Sequence, residues 1–338
     1  NEYDEARYIV EVIEQALHGS DLKRSEIAIL YRSNAQSRVL EESLLRASIP
    51  YRIYGGHKFF ERLEIKNALG YLRLLRNRHD NEAVERVVNV PPRGIGQKSV
   101  ETIREYARTH DVSLWQAMHE QIERKLLTAR ASNAMQEFID LIELLAEQTI
   151  DTALDETVAH LIEHSGLMTY HQEEKGEKGQ SRVENLEELM SAARAFELTQ
   201  EQEELTPLVA FLDHAVLEAG DTQADEFEDS VQLMTLHSAK GLEFPLVFIA
   251  GVEENLFPHS NSLQEAEGLE EERRLAYVGI TRAMRQLYLT CAETRRLHGK
   301  ESYNQQSRFL SELPPELLQR GRLQNTTTKS AATPSFTS

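Results

Sequence analysis

Apolar positions in the first part of the chain repeat with two different periods. Over residues 3–17, Ala6, Ile9, Val10, Ile13 and Leu17 recur three or four apart, the spacing of one buried stripe on an α-helix, and Gly19 stops the pattern. Ile27-Ala28-Ile29-Leu30-Tyr31 is an unbroken apolar run of strand length, and residues 36–47 return to helical spacing with Val39, Leu40, Leu44 and Leu45 on one face. A second short strand is expected at 51–54, ending at Gly55-Gly56. From about residue 59 to 227 strands vanish. Segments such as Ile65-Leu69-Leu72-Leu75, Val183-Leu186-Leu189-Met190 and, behind Pro207, Leu208-Phe211-Leu212-Ala215 all carry the helical period. Strand patterns resume at 231–235, 246–251 and 286–291, with a helix over 270–278 before the last.

Alternating strands and helices predict an α/β fold with a doubly wound parallel sheet. Neither flank alone has enough strands to build one covered on both faces. The simplest organisation is therefore one domain made of residues 1–56 plus 228–324, interrupted by an all-helical insertion over 57–227. Residues 325–338 read as a flexible polar linker, and the helical pattern already under way at the first residues suggests a chain cut upstream.

Composition narrows the chemistry. Against 37 Lys plus Arg stand 56 Asp plus Glu, a formal charge of -19, so the chain has no global attraction to a polyanion and any nucleic acid must be held by local clusters. The single cysteine, Cys291, can form neither an internal disulfide nor a metal cluster, and reads as a small buried hydrophobe. No apolar run approaches the roughly 18 residues of a membrane span, and no signal pattern opens the chain, so a cytoplasmic location without a membrane partner is expected.

Two stretches carry candidate nucleotide chemistry. In Leu236-His237-Ser238-Ala239-Lys240-Gly241-Leu242-Glu243-Phe244 a strand runs into a turn, and in a doubly wound sheet ligands bind outside the carboxyl ends of strands. Ser238 and Gly241 allow close backbone approach to a phosphate, Lys240 brings charge, and Glu243 can accept from a hydroxyl; the alternative is a helix cap at Ser238 and a solvated lysine. In the second stretch a surface helix, charged at Glu270-Glu271-Glu272-Arg273-Arg274, leads into Tyr277-Val278-Gly279-Ile280-Thr281-Arg282-Ala283. Arg282 at its end suits an arginine finger for a transferring phosphoryl group, or equally an exposed arginine near a helix C-terminus. Yet no G-x-x-x-x-G-K-[ST] phosphate cradle occurs, and no metal ligands are expected. Pro91-Pro92-Arg93-Gly94-Ile95-Gly96 followed by a helix over 97–109 has the form of a helix-hairpin-helix: Gly94 and Gly96 free backbone N–H groups for a phosphate, flanked by Arg93 and Lys98. A plain inter-helix turn is the alternative. Lys175, Lys178 and Arg182 form another basic spot, diluted by Glu173, Glu174 and Glu177, and a solvated loop is an equal reading.

Taken in order, these motifs resemble the C-terminal half of superfamily I DNA helicases of the UvrD, Rep and PcrA group. Further matching segments are Leu30-Tyr31-Arg32-Ser33-Asn34-Ala35-Gln36-Ser37-Arg38, Tyr54-Gly55-Gly56 with Phe59-Phe60-Glu61-Arg62-Leu63-Glu64-Ile65-Lys66, Lys175-Gly176-Glu177-Lys178-Gly179 and Arg182-Val183-Glu184-Asn185-Leu186-Glu187-Glu188-Leu189. The resemblance implies a second RecA-like motor domain carrying an inserted, rotating helical subdomain. ATP would lie between two motor domains, with Glu243 on the ribose, Gly241 beside the nucleotide and Arg282 reaching the γ-phosphate. Single-stranded DNA would pass Arg32, Asn34 and His237, with Lys240 at neighbouring phosphates; duplex DNA at a junction would meet Arg93, Gly94, Gly96 and Lys98. His298 takes the place where relatives stack an aromatic ring on a base, a weaker platform. The phosphate cradle and the Mg²⁺-binding carboxylates would belong to an N-terminal motor domain. The whole would be an ATP-driven 3′–5′ helicase of DNA repair, partnered by repair proteins, and this chain alone would be inactive. A non-enzymatic DNA-binding or regulatory fragment, or a RecB-type helicase–nuclease, are the alternatives.

Overall fold

In the computed structural model, which describes residues 1–199, 202, 204–220, 228–264, 266–297 and 300–321, strands from the two flanks interleave. Strands β1 (Ile27–Tyr31) and β2 (Tyr51–Ile53) come from one flank, β3 (Val231–Thr235), β4 (Phe244–Ile249) and β5 (Ala283–Leu289) from the other. All pair in parallel in the order β2-β3-β1-β4-β5. The central strand β1 sets Ile29 opposite Leu233 on one side and Phe248 on the other. All five of its residues are buried, as a parallel strand covered on both faces requires. Alternate residues serve alternate layers. Ile27, Ile29 and Tyr31 pack with helices α1 (Glu2–Gly19) and α2 (Ser37–Arg46), whereas Ala28 and Leu30 pack with Leu275 and Ala276 from a helix on the opposite face.

Nine helices occupy the described residues between β2 and β3: α3 (Leu63–Arg76), α4 (Asn81–Val87), α5 (Gln97–His110), α6 (Leu114–Glu123), α7 (Ala129–Gln148), α8 (Leu154–His164), α9 (Leu167–Gln172), α10 (Glu177–Ala195) and α11 (Pro207–Gly220). They enclose a hydrophobic core of their own, around Tyr71, Trp115, Phe138 and Phe211, separate from the two layers on the sheet. The remaining described residues form α12 (Gly268–Ile280) before β5, then a hairpin of β6 (Thr294–Leu297) and β7 (Lys300–Tyr303), and α13 (Arg308–Ser311).

Three sequence expectations need correction. Strands β4 and β5 begin earlier than their apolar runs, because Phe244 N–H donates to the Arg282 carbonyl at 2.8 Å and Pro245, which has no N–H, sits at a register shift rather than outside the strand. The β6–β7 hairpin is antiparallel and was hidden by its polar composition. Cys291 is half-buried beyond the end of β5, its Sγ 3.8 Å from the Gln306 amide, and burial raises its thiol pKa. The proposed linker, 325–338, lies outside the described residues. Among the described residues no helix is long and apolar enough to cross a membrane.

Candidate functional site

At the carboxyl edge of the sheet, Arg32, Ser33 and Asn34 follow β1, and His237 and Ser238 follow β3. The Gln36 side chain fixes this corner: its Oε1 accepts from Arg32 N (3.0 Å) and Ser33 N (2.9 Å), while Nε2 donates to the Ala250 carbonyl beyond β4 (3.3 Å). Arg32 is held by a forked ion pair to Glu272 of α12, with Nη2 2.7 Å and Nε 3.0 Å from Oε1. Glu272 is 2% exposed. Burial alone would raise its pKa, but hydrogen bonds and charge from Arg32, with Ser262 Oγ and His259 N–H, outweigh it and hold the carboxyl below the usual range. Exposed His237 stands close enough to feel Arg32; desolvation first and that charge second lower its imidazole pKa. Asn34 donates to Ser181 Oγ of α10 at 3.1 Å, and its carbonyl accepts from Arg62.

Residues 236–243 then return the chain to the amino edge of the sheet. Leu236 and Ala239 are fully buried in the layer shared with α12, so this connection is anchored rather than loose. Gly241 adopts φ +86°, which favours glycine, and no atom lies within 4 Å of where a side chain would begin. Lys240 and Glu243 are exposed. Arg282 binds the connection: Nη1 donates to the Leu242 carbonyl (2.6 Å), Nε to the Val278 carbonyl of α12 (2.9 Å) and Nη2 to Thr281 Oγ1 (3.0 Å). Glu243 therefore sits between two residues tied to Arg282, at the start of β4 beside the start of β5. This corrects the expectation that the whole 236–244 stretch lies outside the carboxyl ends of strands. Only His237 and Ser238 do, because a connection between parallel strands must end at the opposite edge from where it began. The result is one edge with a cation, an amide and an imidazole, and another with an exposed carboxylate beside an oriented guanidinium.

The helical side differs from expectation at two arginines. Arg93 turns inward, donating to the carbonyls of Pro91 (3.0 Å) and Ser165 (2.9 Å) and lying over the Tyr71 and Phe138 rings, so it shapes the turn instead of facing solvent phosphate. Arg182 pairs with Glu174 and Glu64, which leaves Lys175 and Lys178 exposed without it and dissolves that basic spot. Gly94, Gly96 and Lys98 are exposed, and the N-terminus of α5 at Gly96 has no side-chain cap. Arg130 of α7, far away in sequence, places Nη2 3.9 Å from where a Gly94 side chain would start. No spacing rule could have found it. His298 lies outside the described residues. Among the described residues no group of three His, Cys, Asp or Glu could hold a metal ion.

The model of the UvrD-like helicase C-terminal domain matches residues 1–294, a span that contains both sheet edges and all nine helices. The chain belongs to the UvrD-like helicase C-terminal domain family. Similar members include DNA helicase II of Escherichia coli, 57% identical over 97% of this chain and 46% of that protein, and DNA helicase II of Haemophilus influenzae, 52% identical over 97% of this chain and 45% of its own length. The ATP-dependent DNA helicase PcrA of Bacillus subtilis is 45% identical over 94% of this chain and 43% of that protein. The chain thus spans about half the length of the curated relatives it matches. Within this UvrD-like domain, Glu272 and Gln36 are the residues that sequence reading missed and that hold Arg32 in place.

Proposed function

We propose that this chain is the second RecA-like motor domain of an ATP-dependent DNA helicase that moves 3′ to 5′ in DNA repair, with residues 57–227 as its inserted subdomain. The observation that carries the reading is the Glu243–Arg282 edge, joined to the Arg32–Asn34–His237 edge by one short, packed connection. At the first edge Glu243 accepts from a ribose hydroxyl and Arg282 neutralises charge developing on a terminal phosphoryl, a role worth about 10³–10⁵ in rate. Gly241 lets backbone approach the nucleotide. The nucleotide with its Mg²⁺ would supply the driving free energy when bound, held chiefly by an N-terminal motor domain, since the sequence carries no phosphate-cradle motif and, among the described residues, no group of three His, Cys, Asp or Glu could hold a metal ion. At the second edge Arg32, Asn34, His237 and Lys240 line the path of a single strand. Because Arg282 grips the Leu242 carbonyl and Leu236 is buried, a pull on Arg282 reaches His237 through a rigid segment, which couples hydrolysis to stepping. Gly94, Gly96 and Lys98, joined by Arg130, meet the duplex phosphates, with Arg93 positioning their loop. Repair proteins are the expected further partners.

A non-enzymatic DNA-binding role would need only the turn before α5 and leaves the placing of Glu243 and Arg282 at one edge without purpose. The test is Arg282→Ala in the full-length protein. It should bind ATP as the parent does and lose DNA-stimulated turnover by at least about 10³; turnover within a few-fold of the parent would remove Arg282 from the mechanism.

A further inference from the structure

Away from both sheet edges, α3, α4 and α9 line an open cavity of about 430 Å³. Leu63 and Asn67 of α3, Arg86 of α4, Val90, and Tyr170 and His171 of α9 form its wall. His171 is 1% exposed, and its Nδ1 lies 3.0 Å from Glu174 Oε2, a carboxylate that Arg182 also holds. A carboxylate only accepts, so Nδ1 carries the proton, and in the neutral ring Nε2 is an acceptor. That atom is buried without a hydrogen-bond partner. The Asn67 side chain, in a residue 4% exposed, makes no hydrogen bond among the described residues and opens on the cavity. Arg86 has no ion pair or hydrogen bond among them either. Unpaired polar groups are rare in protein interiors, and a buried imidazole nitrogen beside a carboxamide that opens on the same cavity calls for a ligand.

The groups differ in kind and specify that ligand. Asn67 offers a donor and an acceptor side by side, the pattern that reads a nucleobase edge. His171 Nε2 accepts from one further N–H. The Tyr170 ring and the aliphatic walls of Leu63 and Val90 suit the faces of a flat heterocycle. Arg86 adds one cation, while the nearby Glu82 and Glu85 are already paired with Arg73 (3.1 Å) and Arg104 (2.7 Å), so the rim favours one phosphate over a polyanion. We propose that this cavity binds a single nucleotide, its base against Asn67 and His171 and its phosphate at Arg86, either free or as the unstacked end of a strand. The site shares no residue with the Glu243–Arg282 edge.

Calorimetric titration of the chain with each of the four deoxynucleoside 5′-monophosphates tests this. At least one should bind saturably. Asn67→Ala, His171→Phe and Arg86→Gln should each weaken it by about tenfold, the effect of one lost hydrogen bond or ion pair in a buried site. Deoxyribose 5-phosphate, which lacks the base, should bind at least about tenfold more weakly. Arg86→Gln alters the rim, so it should leave the melting temperature unchanged and serve where the two buried substitutions disturb folding. A 5′-phosphorylated hexanucleotide that binds more tightly than the monophosphate, with the same dependence on these residues, identifies a strand end; the reverse order identifies the free nucleotide. No saturable binding, equal binding of deoxyribose 5-phosphate, or binding indifferent to all three substitutions overturns the proposal.

Discussion

Glu272 and Glu218 are both withdrawn from solvent, and their surroundings push them in opposite directions. Glu272 has Arg32 and two further donors and stays ionised. Glu218 of α11 has burial and the neighbouring Glu42 against it, which push its pKa up to about 7; its near partner is His214 Nε2 at 3.3 Å, itself lowered chiefly by burial. A carboxyl raised from 4.5 to about 7 makes its full contribution to stability below pH 4.5, and loses it as the pH climbs to 7. Glu218→Gln should therefore raise the melting temperature at pH 8, by up to roughly 3 kcal/mol in stability, and leave it unchanged near pH 4.5. Thermal melts across that range decide it, and a shift equal at all pH values would refute the assignment. At this scale the sequence was only partly legible. Glu272 shares the buried spacing of Leu275, Ala276 and Gly279, yet its place in an acidic triplet reads as a solvated face, and its partner Arg32 stands 240 positions away. Arg93 failed for the same reason, its partner Ser165 standing 72 positions away, and Arg182 in part, through Glu64 of α3.

Elements were more legible than side chains, because a helix stripe or a buried strand is a property of neighbouring residues. The runs 27–31 and 231–235 coincide with β1 and β3, whereas β4 and β5 start outside their apolar runs and place Glu243 and Arg282 at the amino edge. Composition could not show which edge, since that follows from strand order. The seat of α12 rests on one glycine. A methyl on Gly279 would come 2.5 Å from Leu236 Cδ2 and 3.0 Å from Ile249 Cδ1, so the helix lies as close to the sheet as a glycine permits. Gly279→Ala should destabilise by about 1–2 kcal/mol, overpacking of about 1–3 kcal/mol exceeding the roughly 1 kcal/mol that alanine gains within a helix. It should also displace Arg282, three residues on, and so reduce turnover in the full-length protein. Urea unfolding of the chain checks the first effect; a stabilised variant would mean that Leu236 yields freely and the spacing is not set by the glycine.

For the molecule as a whole, the informative feature is how the helical core meets the sheet. The two are joined by polar groups, from α10 by Arg38 Nε to Glu188 (2.5 Å), His259 Nε2 to Glu184 (3.1 Å) and Ser33 to Glu184, and ahead of α3 by Arg62 Nη1 to the Asn34 carbonyl (2.9 Å). A polar joint between separate apolar cores can exchange its partners for water at modest cost, the condition for one body to move on another. Arg38 and Glu188 form an arginine–carboxylate pair largely withdrawn from solvent within it, and burial raises the Glu188 pKa even with Arg38 beside it. Arg38→Met should cost about 3–5 kcal/mol at pH 8, because it leaves a buried carboxylate without its cation. The loss should shrink at pH 5, where Glu188 can take up a proton in place of the missing cation. Adding Glu188→Leu should recover most of the stability at both pH values, since a well-packed apolar pair can replace a buried ion pair. Calorimetry of the single variant at pH 8 should resolve two transitions, the helical core around Tyr71 and Phe138 separating from the sheet. A single cooperative transition, merely shifted down, would mean that the α10 joint binds the two cores into one unit and that motion between them must arise elsewhere.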